Sequence, residues 1–160
     1  MTRRRKAREA LLKALYIGEC RGITVARAFD EMETVDREMA EGPGDPDDLP
    51  LEPFGLGLDK EEKEFALSLA ETIGRGKDIF DERIAAVLEN WDLSRVSRID
   101  RYIMWIALAE TSSMPDIPVK VSLNEAIELA RSFSSEKSTG FINGVLDAVM
   151  RDMGIIKRDG

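Results

Sequence analysis

Apolar residues recur three and four positions apart along most of this chain, and this helical period constrains the fold more than any other feature of the sequence. Near the start, the residues at this spacing are Ala7, Ala10, Leu11, Ala14 and Leu15, which would share one face of a helix. No run alternates between apolar and polar residues over more than a few positions, so strands are not indicated. The sequence therefore predicts an all-α fold, a bundle of about seven helices.

Residues that cap or interrupt helices set the predicted boundaries. Thr24 is a candidate N-cap for the second helix, and Gly74 and Gly76 are expected to separate a third helix from a fourth. Further along, Ser122 and Glu125 form the S-x-x-E pattern of a capping box, which predicts a helix start at that point.

Residues 41–59 interrupt the helical pattern. This stretch holds four prolines, four glycines and six acidic residues, and it contains no basic residue. Such a composition sustains neither a helix nor a packed core. We expect residues 41–59 to be an exposed, mobile insertion within a single domain that spans residues 1–160.

The residue types needed for most enzymatic chemistry are missing. The chain has no histidine and a single cysteine, and its glycines form neither a P-loop nor a G-x-G-x-x-G pattern. We therefore predict no catalytic residues, no metal site, no cofactor and no enzymatic activity. No stretch approaches the roughly 20 apolar residues that span a bilayer, and the basic start lacks a secretory apolar region, so we expect a cytoplasmic protein without membrane contact.

Positive charge is concentrated at the start of an acidic chain. The net charge is −8, yet residues 3–8 read RRRKAR, so the remainder carries about −13. Guanidinium groups match phosphate oxygens in geometry and stay charged, which favours phosphate binding at this end. The alternatives to phosphate binding are that these residues form an ordinary solvated terminus, a transit peptide or a membrane-surface helix. The candidate phosphate-binding residues are Arg3, Arg4, Arg5, Lys6 and Arg8.

A few polar and aromatic residues elsewhere are further candidates. Tyr16 lies on the polar side of the first helix, where it either stacks on a base or packs as a half-buried rim residue. At a predicted helix start, Lys137 would add a positive charge and Ser138 a donor for the same phosphate. The alternative is simple helix capping by Ser135 or Ser138. Asn143 and Gly144 both weaken the last helix, which predicts compensation by close packing over Gly144 and by bonding of Asn143 to backbone or ligand.

Four segments resemble the NusB family of transcription antitermination factors. The clearest are VSLNEAIELARSF at 121–133 and EKSTGFINGVLD at 136–147. RRRKAREALLKALY at 3–16 is similar to the family's arginine-rich first helix, and IDRYIMWIALAE at 99–110 to its central helix. The resemblance covers nearly the whole chain outside residues 41–59.

The resemblance implies a seven-helix fold of two packed helical subdomains, forming one RNA-binding domain. It also implies that the chain binds single-stranded boxA-like RNA together with the ribosomal protein NusE. This assembly would act within the RNA polymerase antitermination complex that supports rRNA transcription. No DNA partner is expected. Phosphates would be held by the basic residues at 3–8. Tyr16, Phe141 and Asn143 would lie near the RNA, and the protein partner would face Asp100, Arg101, Asn124 and Glu125.

Two residues depart from the usual pattern of the central helix, and one departs at the start of the last helix. Trp105 and Ala109 replace an arginine and a tyrosine, which leaves the detail of the partner surface open. Lys137 stands where an acidic residue is common, which should strengthen attraction to RNA.

The alternatives to antitermination are an accessory RNA-binding subunit of an rRNA methyltransferase and a helical protein–protein adapter whose basic tip binds an acidic partner.

Overall fold

The computed structural model describes residues 3–41, 54–89 and 92–157, and helices dominate these ranges. No strand occurs in them, so the all-α prediction is confirmed. The elements are α1 (Arg3–Arg21), α2 (Val25–Ala40), α3 (Lys60–Val87), a 3-10 helix (Leu93–Arg95), α4 (Arg98–Ser113), α5 (Val119–Phe133) and α6 (Glu136–Asp152).

The helix α3 is continuous where we predicted two helices, and the described residues therefore contain six α-helices rather than seven. Gly74 and Gly76 lie in its interior, and neither adopts a positive φ. An interior glycine costs about 1 kcal/mol relative to alanine but does not by itself end a helix. Gly76 also leaves room for the ring of Phe80, whose Cζ atom lies 3.0 Å from the position that a Cβ at residue 76 would take.

The helices belong to two compact units, Met1–Leu67 and Ser68–Gly160, which we call the N-terminal and C-terminal units. In the N-terminal unit α1 packs against α2. Thr24 caps α2 as predicted, because its hydroxyl oxygen accepts a hydrogen bond from the backbone N–H of Arg27 at 3.1 Å. The buried apolar side chains of α1 and α2 include Leu11, Leu12, Phe29 and Met32.

In the C-terminal unit α4 is the central helix, as the resemblance implied. Every residue from Tyr102 to Glu110 is buried, and α4 packs against both α5 and α6, which also pack against each other. Ser97 caps α4 by accepting a hydrogen bond from the backbone N–H of Asp100 at 3.1 Å. This arrangement fixes the start of α4 beside the α5–α6 connection.

The predicted capping box at Ser122 and Glu125 is wrong. The helix α5 begins at Val119, directly after Pro118, and Ser122 therefore lies inside the helix. Only 2% of Ser122 is exposed, and its hydroxyl donates a hydrogen bond to Oε1 of the buried Glu110 at 2.9 Å. The proline thus sets the helix start, and the serine serves as the partner of a buried carboxylate.

Within the described ranges, every helix is too short or too polar to cross a membrane.

Candidate nucleic-acid interface

The basic residues of α1 differ widely in their exposure. Arg4 is exposed, Arg5 and Lys6 are partly exposed, and Arg8 is only 3% exposed. Arg3 is the first residue of α1, but its side chain lies outside the described residues. The exposed end of the basic cluster is therefore the first turn of the helix.

An aromatic ring supports two of these arginines. The guanidinium carbon of Arg4 lies 5.2 Å from the ring centroid of Phe65, near the start of α3, and that of Arg8 lies 5.4 Å from the same centroid. Residues four apart share one face of a helix, so a single ring can meet both side chains. Contacts of this kind are cation–π interactions, which stabilise the pair and restrict the motion of the guanidinium groups.

The burial of Arg8 does not fit our prediction that it contacts phosphate directly. A side chain that is 3% exposed has almost no surface to offer a ligand, and its guanidinium group lies against Phe65. Sequence reasoning missed this because the ring is 57 positions away along the chain. Arg8 instead packs against the same ring as the exposed Arg4.

The described end of the insertion lies against α1 and α2. Residues 54–59, which we call the strap, run without regular secondary structure into α3. Lys6 Nζ donates to the carbonyl oxygen of Gly57 at 2.9 Å, and Lys13 Nζ donates to that of Phe54 at 3.0 Å. Leu56 is only 4% exposed, so the strap does not fit the expectation of a fully exposed insertion. Residues 42–53 lie outside the described residues, and the mobility of the insertion stays a prediction.

Tyr16 lies two turns beyond Arg8 on α1 and is 44% exposed. Its ring is thus accessible to a stacking partner. The N-terminal unit therefore carries Arg4, Arg5, Lys6, Arg8 and Tyr16 on one helix.

The remaining candidates for RNA contact lie on α6 in the C-terminal unit. Lys137 and Asn143 are exposed, whereas Ser138 and Phe141 are partly exposed. Ser135 caps α6 by accepting a hydrogen bond from the backbone N–H of Ser138 at 3.1 Å, as the capping alternative proposed.

The hydroxyl of Ser138 already has partners. It lies 2.9 Å from Asp100 Oδ2 and 3.1 Å from the hydroxyl of Ser135. A phosphate contact by Ser138 would thus compete with a charged acceptor inside the protein, and Lys137 is the more accessible of the two residues at this helix start.

Gly144 does not pack closely against another helix. It is exposed, and a Cβ built at this position would meet no atom within 4 Å. The expectation of close packing over Gly144 is therefore wrong. The surface beside Asn143 is an open patch of helix backbone, which a ligand can approach closely because no side chain covers it.

The four residues predicted to face the protein partner lie on α4 and α5, and one of them points inward. Asp100 is 6% exposed, and its carboxylate accepts a hydrogen bond from Ser134 Oγ at 2.7 Å in addition to the one from Ser138. Asp100 thus ties the start of α4 to the α5–α6 connection. Arg101 and Glu125 are partly exposed and Asn124 is exposed, so these three side chains reach the surface.

Sequence reasoning missed Asp81, an acidic residue of α3 that organises this face of the C-terminal unit. Its carboxylate pairs with both Nε and Nη2 of Arg101 and accepts a hydrogen bond from Trp105 Nε1 at 2.8 Å. The guanidinium carbon of Arg101 also lies 5.3 Å from the centroid of the Trp105 ring system. The available signal was Trp105 itself, because a buried indole N–H needs an acceptor.

In the part of the chain that the structure describes, no three cysteine or carboxylate side chains lie close enough together to hold a metal ion.

The sequence profile of the NusB family matches residues 5–151. The transcription antitermination protein NusB of Myxococcus xanthus is 37% identical over 149 residues, which are 93% of this chain and 95% of that protein. The NusB of Dehalococcoides mccartyi is 35% identical over 150 residues, with 94% and 91% of the two chains covered.

Solved structures give the same fold. NusB of T. maritima superposes with a TM-score of 0.74 at 29% identity and covers 95% of this chain and 93% of its own. A structure of the antitermination factors NusB and NusE in complex with double-stranded RNA gives a TM-score of 0.71 at 22% identity, covering 95% of this chain and 98% of that one. At this lower identity the likeness concerns the fold alone.

Proposed function

The chain belongs to the NusB family, and we propose that it acts, like the curated relatives it matches, in transcription antitermination, by binding single-stranded boxA-like RNA together with NusE. In this role the RNA–protein assembly joins the elongating RNA polymerase in the cytoplasm. The matches with antitermination proteins favour this function over the methyltransferase-subunit and adapter alternatives.

One observation carries the RNA-binding part of the proposal: the first turn of α1 presents exposed positive charge that rests on a fixed support. Arg4 is exposed while its guanidinium lies against Phe65, and Lys6 is restrained by Gly57. Restrained cations lose less rotamer freedom when a phosphate binds, so more of the electrostatic attraction appears as affinity. The acidic remainder of the chain discourages binding elsewhere, because it repels phosphate.

Single-stranded RNA fits the accessible aromatic and backbone groups better than a duplex does. Proteins read unpaired bases by stacking them on aromatic rings and by hydrogen bonding to their edges. Tyr16 offers an exposed ring on α1, and Phe141 and Asn143 offer a partly exposed ring and an exposed amide on α6. Gly144 adds backbone that a nucleotide can approach.

We place the NusE contact on α4 and α5 of the C-terminal unit. Arg101, Asn124 and Glu125 reach the surface and supply a guanidinium, an amide and a carboxylate. Asp100 acts there through the hydrogen bonds that it accepts from Ser134 and Ser138, which hold the helix start in place. Asp81 fixes the orientation of Arg101.

A fluorescence anisotropy titration tests the proposal. The protein should bind a boxA-containing single-stranded RNA more tightly than a scrambled RNA of equal length, and NusE should strengthen the preference. The logarithm of the affinity should fall linearly with the logarithm of salt concentration, because phosphate contacts release counterions. Equal affinity for both RNAs, with and without NusE, would overturn the proposal.

Two charge variants with a matched control sharpen this test. Arg4→Ala and Lys137→Ala should each weaken boxA binding several-fold and reduce the steepness of the salt dependence, since each removes one positive charge from a proposed RNA contact. Arg75→Ala removes an equal charge from an exposed ion pair with Glu71 on α3 and should leave the affinity within about twofold. If Arg75→Ala weakened binding as much as Arg4→Ala, net charge rather than a defined site would explain the affinity.

A further inference from the structure

Asp36 on α2 binds the strap through three backbone amides. Its Oδ1 atom accepts hydrogen bonds from the N–H groups of Phe54 at 2.6 Å and Gly55 at 3.3 Å, and its Oδ2 atom accepts one from Leu56 at 2.9 Å. Hydrogen bonds to an ionised carboxylate are stronger than those between neutral groups. The buried side chain of Leu56 provides a second attachment of the strap to the N-terminal unit.

The backbone of the strap has a shape that few residues other than glycine adopt. Gly55 has φ +63° and Gly57 has φ +48°, both in the left-handed region. Successive residues in turns of this kind can direct their N–H groups towards one anion. In the strap that anion is the carboxylate of Asp36.

The same short segment accepts hydrogen bonds from two lysines of α1. Lys6 and Lys13 are seven positions apart, so they lie two turns apart on nearly the same face of α1, and they donate to Gly57 and Phe54 respectively. Asp36 is thus connected to the basic residues of α1 through a segment of fixed backbone.

We propose that Asp36 is a positioning residue for RNA binding, which acts through the strap to hold the ammonium group of Lys6 where it meets an RNA phosphate. This inference rests on the proposed function, because it assumes that α1 binds RNA. The ammonium group of Lys6 has three N–H donors, and the bond to Gly57 uses one of them and leaves others for phosphate.

Holding the ammonium in advance favours binding for an entropic reason. Lysine has a long side chain that loses much rotamer freedom when it is fixed. Because the strap restrains Lys6 before RNA arrives, part of this loss does not oppose binding. Release of Lys6 from the strap should therefore weaken RNA binding, although the number of positive charges is unchanged.

The two glycines of the strap supply a matched pair of variants. In Gly57→Ala the new Cβ would lie 3.0 Å from Lys6 Nζ, so the ammonium group has to shift by a few tenths of an ångström from its position on the strap. In Gly55→Ala the new Cβ would meet no atom within 4 Å, while the φ angle is equally left-handed. The backbone strain is thus similar in the two variants, and only Gly57→Ala displaces Lys6.

The experiment measures the dissociation constant for boxA RNA with NusE present, at one fixed salt concentration. We expect Gly57→Ala to weaken binding about three- to tenfold and Gly55→Ala less than about twofold, an effect of the size that preorganisation of one side chain produces. Asp36→Asn should weaken binding in the same direction as Gly57→Ala, because it removes the charge that holds the three amides. Thermal unfolding of each variant checks that the protein remains folded at the assay temperature.

A double-mutant cycle separates positioning from a general structural effect. In the Lys6→Ala background, Gly57→Ala should cost less than about a further twofold, because the side chain it displaces is absent. An equal loss in both backgrounds would overturn the inference, and so would equal affinity of Gly57→Ala and Gly55→Ala. Tighter binding by Gly57→Ala would also overturn it, since the strap would then compete with RNA for Lys6.

Failure of the inference can be distinguished from failure of the proposed function. If the unmodified protein does not distinguish boxA RNA from a scrambled RNA, the proposed function fails and the inference fails with it. If the unmodified protein makes this distinction while the Gly57→Ala variant binds as tightly as the Gly55→Ala variant, only the inference fails.

Discussion

Replacement of Phe65 by leucine should destabilise the protein by more than the loss of ring volume explains. The ring carries the guanidinium groups of both Arg4 and Arg8 at 5.2 and 5.4 Å. A cation–π contact contributes about 2 kcal/mol when the cation is desolvated, as Arg8 is, and about 0.5–1 kcal/mol when it is exposed, as Arg4 is. We therefore expect the loss of these two contacts to lower the free energy of unfolding of Phe65→Leu by about 2.5–3 kcal/mol.

Urea denaturation followed by far-UV circular dichroism measures this change. A domain of this size loses roughly 2–4 °C in Tm per kcal/mol, so a thermal scan should show a decrease of about 5–12 °C. A double-mutant cycle with Arg8→Met isolates the contact of the ring with the buried arginine. The coupling free energy should be about 1–2 kcal/mol, because residues in direct contact couple to this extent.

RNA binding provides the second measurement on the same variant. Phe65→Leu should weaken boxA binding several-fold, since Arg4 loses its support. Phe29→Leu changes a ring in the core of α2 and should reduce stability while leaving RNA affinity within about twofold. A coupling free energy below about 0.3 kcal/mol, or an equal loss of RNA affinity in Phe29→Leu, would refute the view that the ring supports the basic cluster.

Three further variants test other contacts. Asp100→Ala should lower the free energy of unfolding, measured by urea denaturation, by about 2–4 kcal/mol, because it leaves two serine hydroxyls without their charged acceptor. A loss below about 0.5 kcal/mol would contradict the structural role of Asp100. Gly144→Ala should raise the free energy of unfolding by about 0.5–1 kcal/mol, because alanine favours the helix. It should weaken boxA binding more than Gly140→Ala does, a control that also adds a methyl group in open space on α6. Equal RNA affinities of the two variants would remove the support for close approach of RNA to the backbone at Gly144. Asp81→Ala should cost about 1–3 kcal/mol and shift the tryptophan emission, because Trp105 loses its acceptor, and unchanged emission would count against that hydrogen bond.

The helical segments and their buried faces were predictable because they depend on local periodicity. The helix face that includes Ala7 and Leu11 is buried, as predicted. Thr24 is the N-cap of α2, also as predicted. The central position of α4 was implied by the resemblance of residues 99–110 to the family's central helix, and the burial of α4 on all sides agrees with it.

The features that sequence reasoning missed depend on partners far away in the chain. Arg8 is buried because Phe65 lies against it, and Ser122 is drawn into the core by Glu110. In each case local propensity was outweighed by a contact or by packing that no short window of sequence contains.

The unbroken burial of α4 from Tyr102 to Glu110 means that solvent deuterium reaches these amides only when the protein opens on a large scale. Their isotope-exchange rates should thus report the global opening equilibrium, whereas amides at the exposed first turn of α1 exchange through local fraying. The slowest-exchanging amide protons of the protein should accordingly lie on α4. Their exchange rates would then report the free energy of global unfolding.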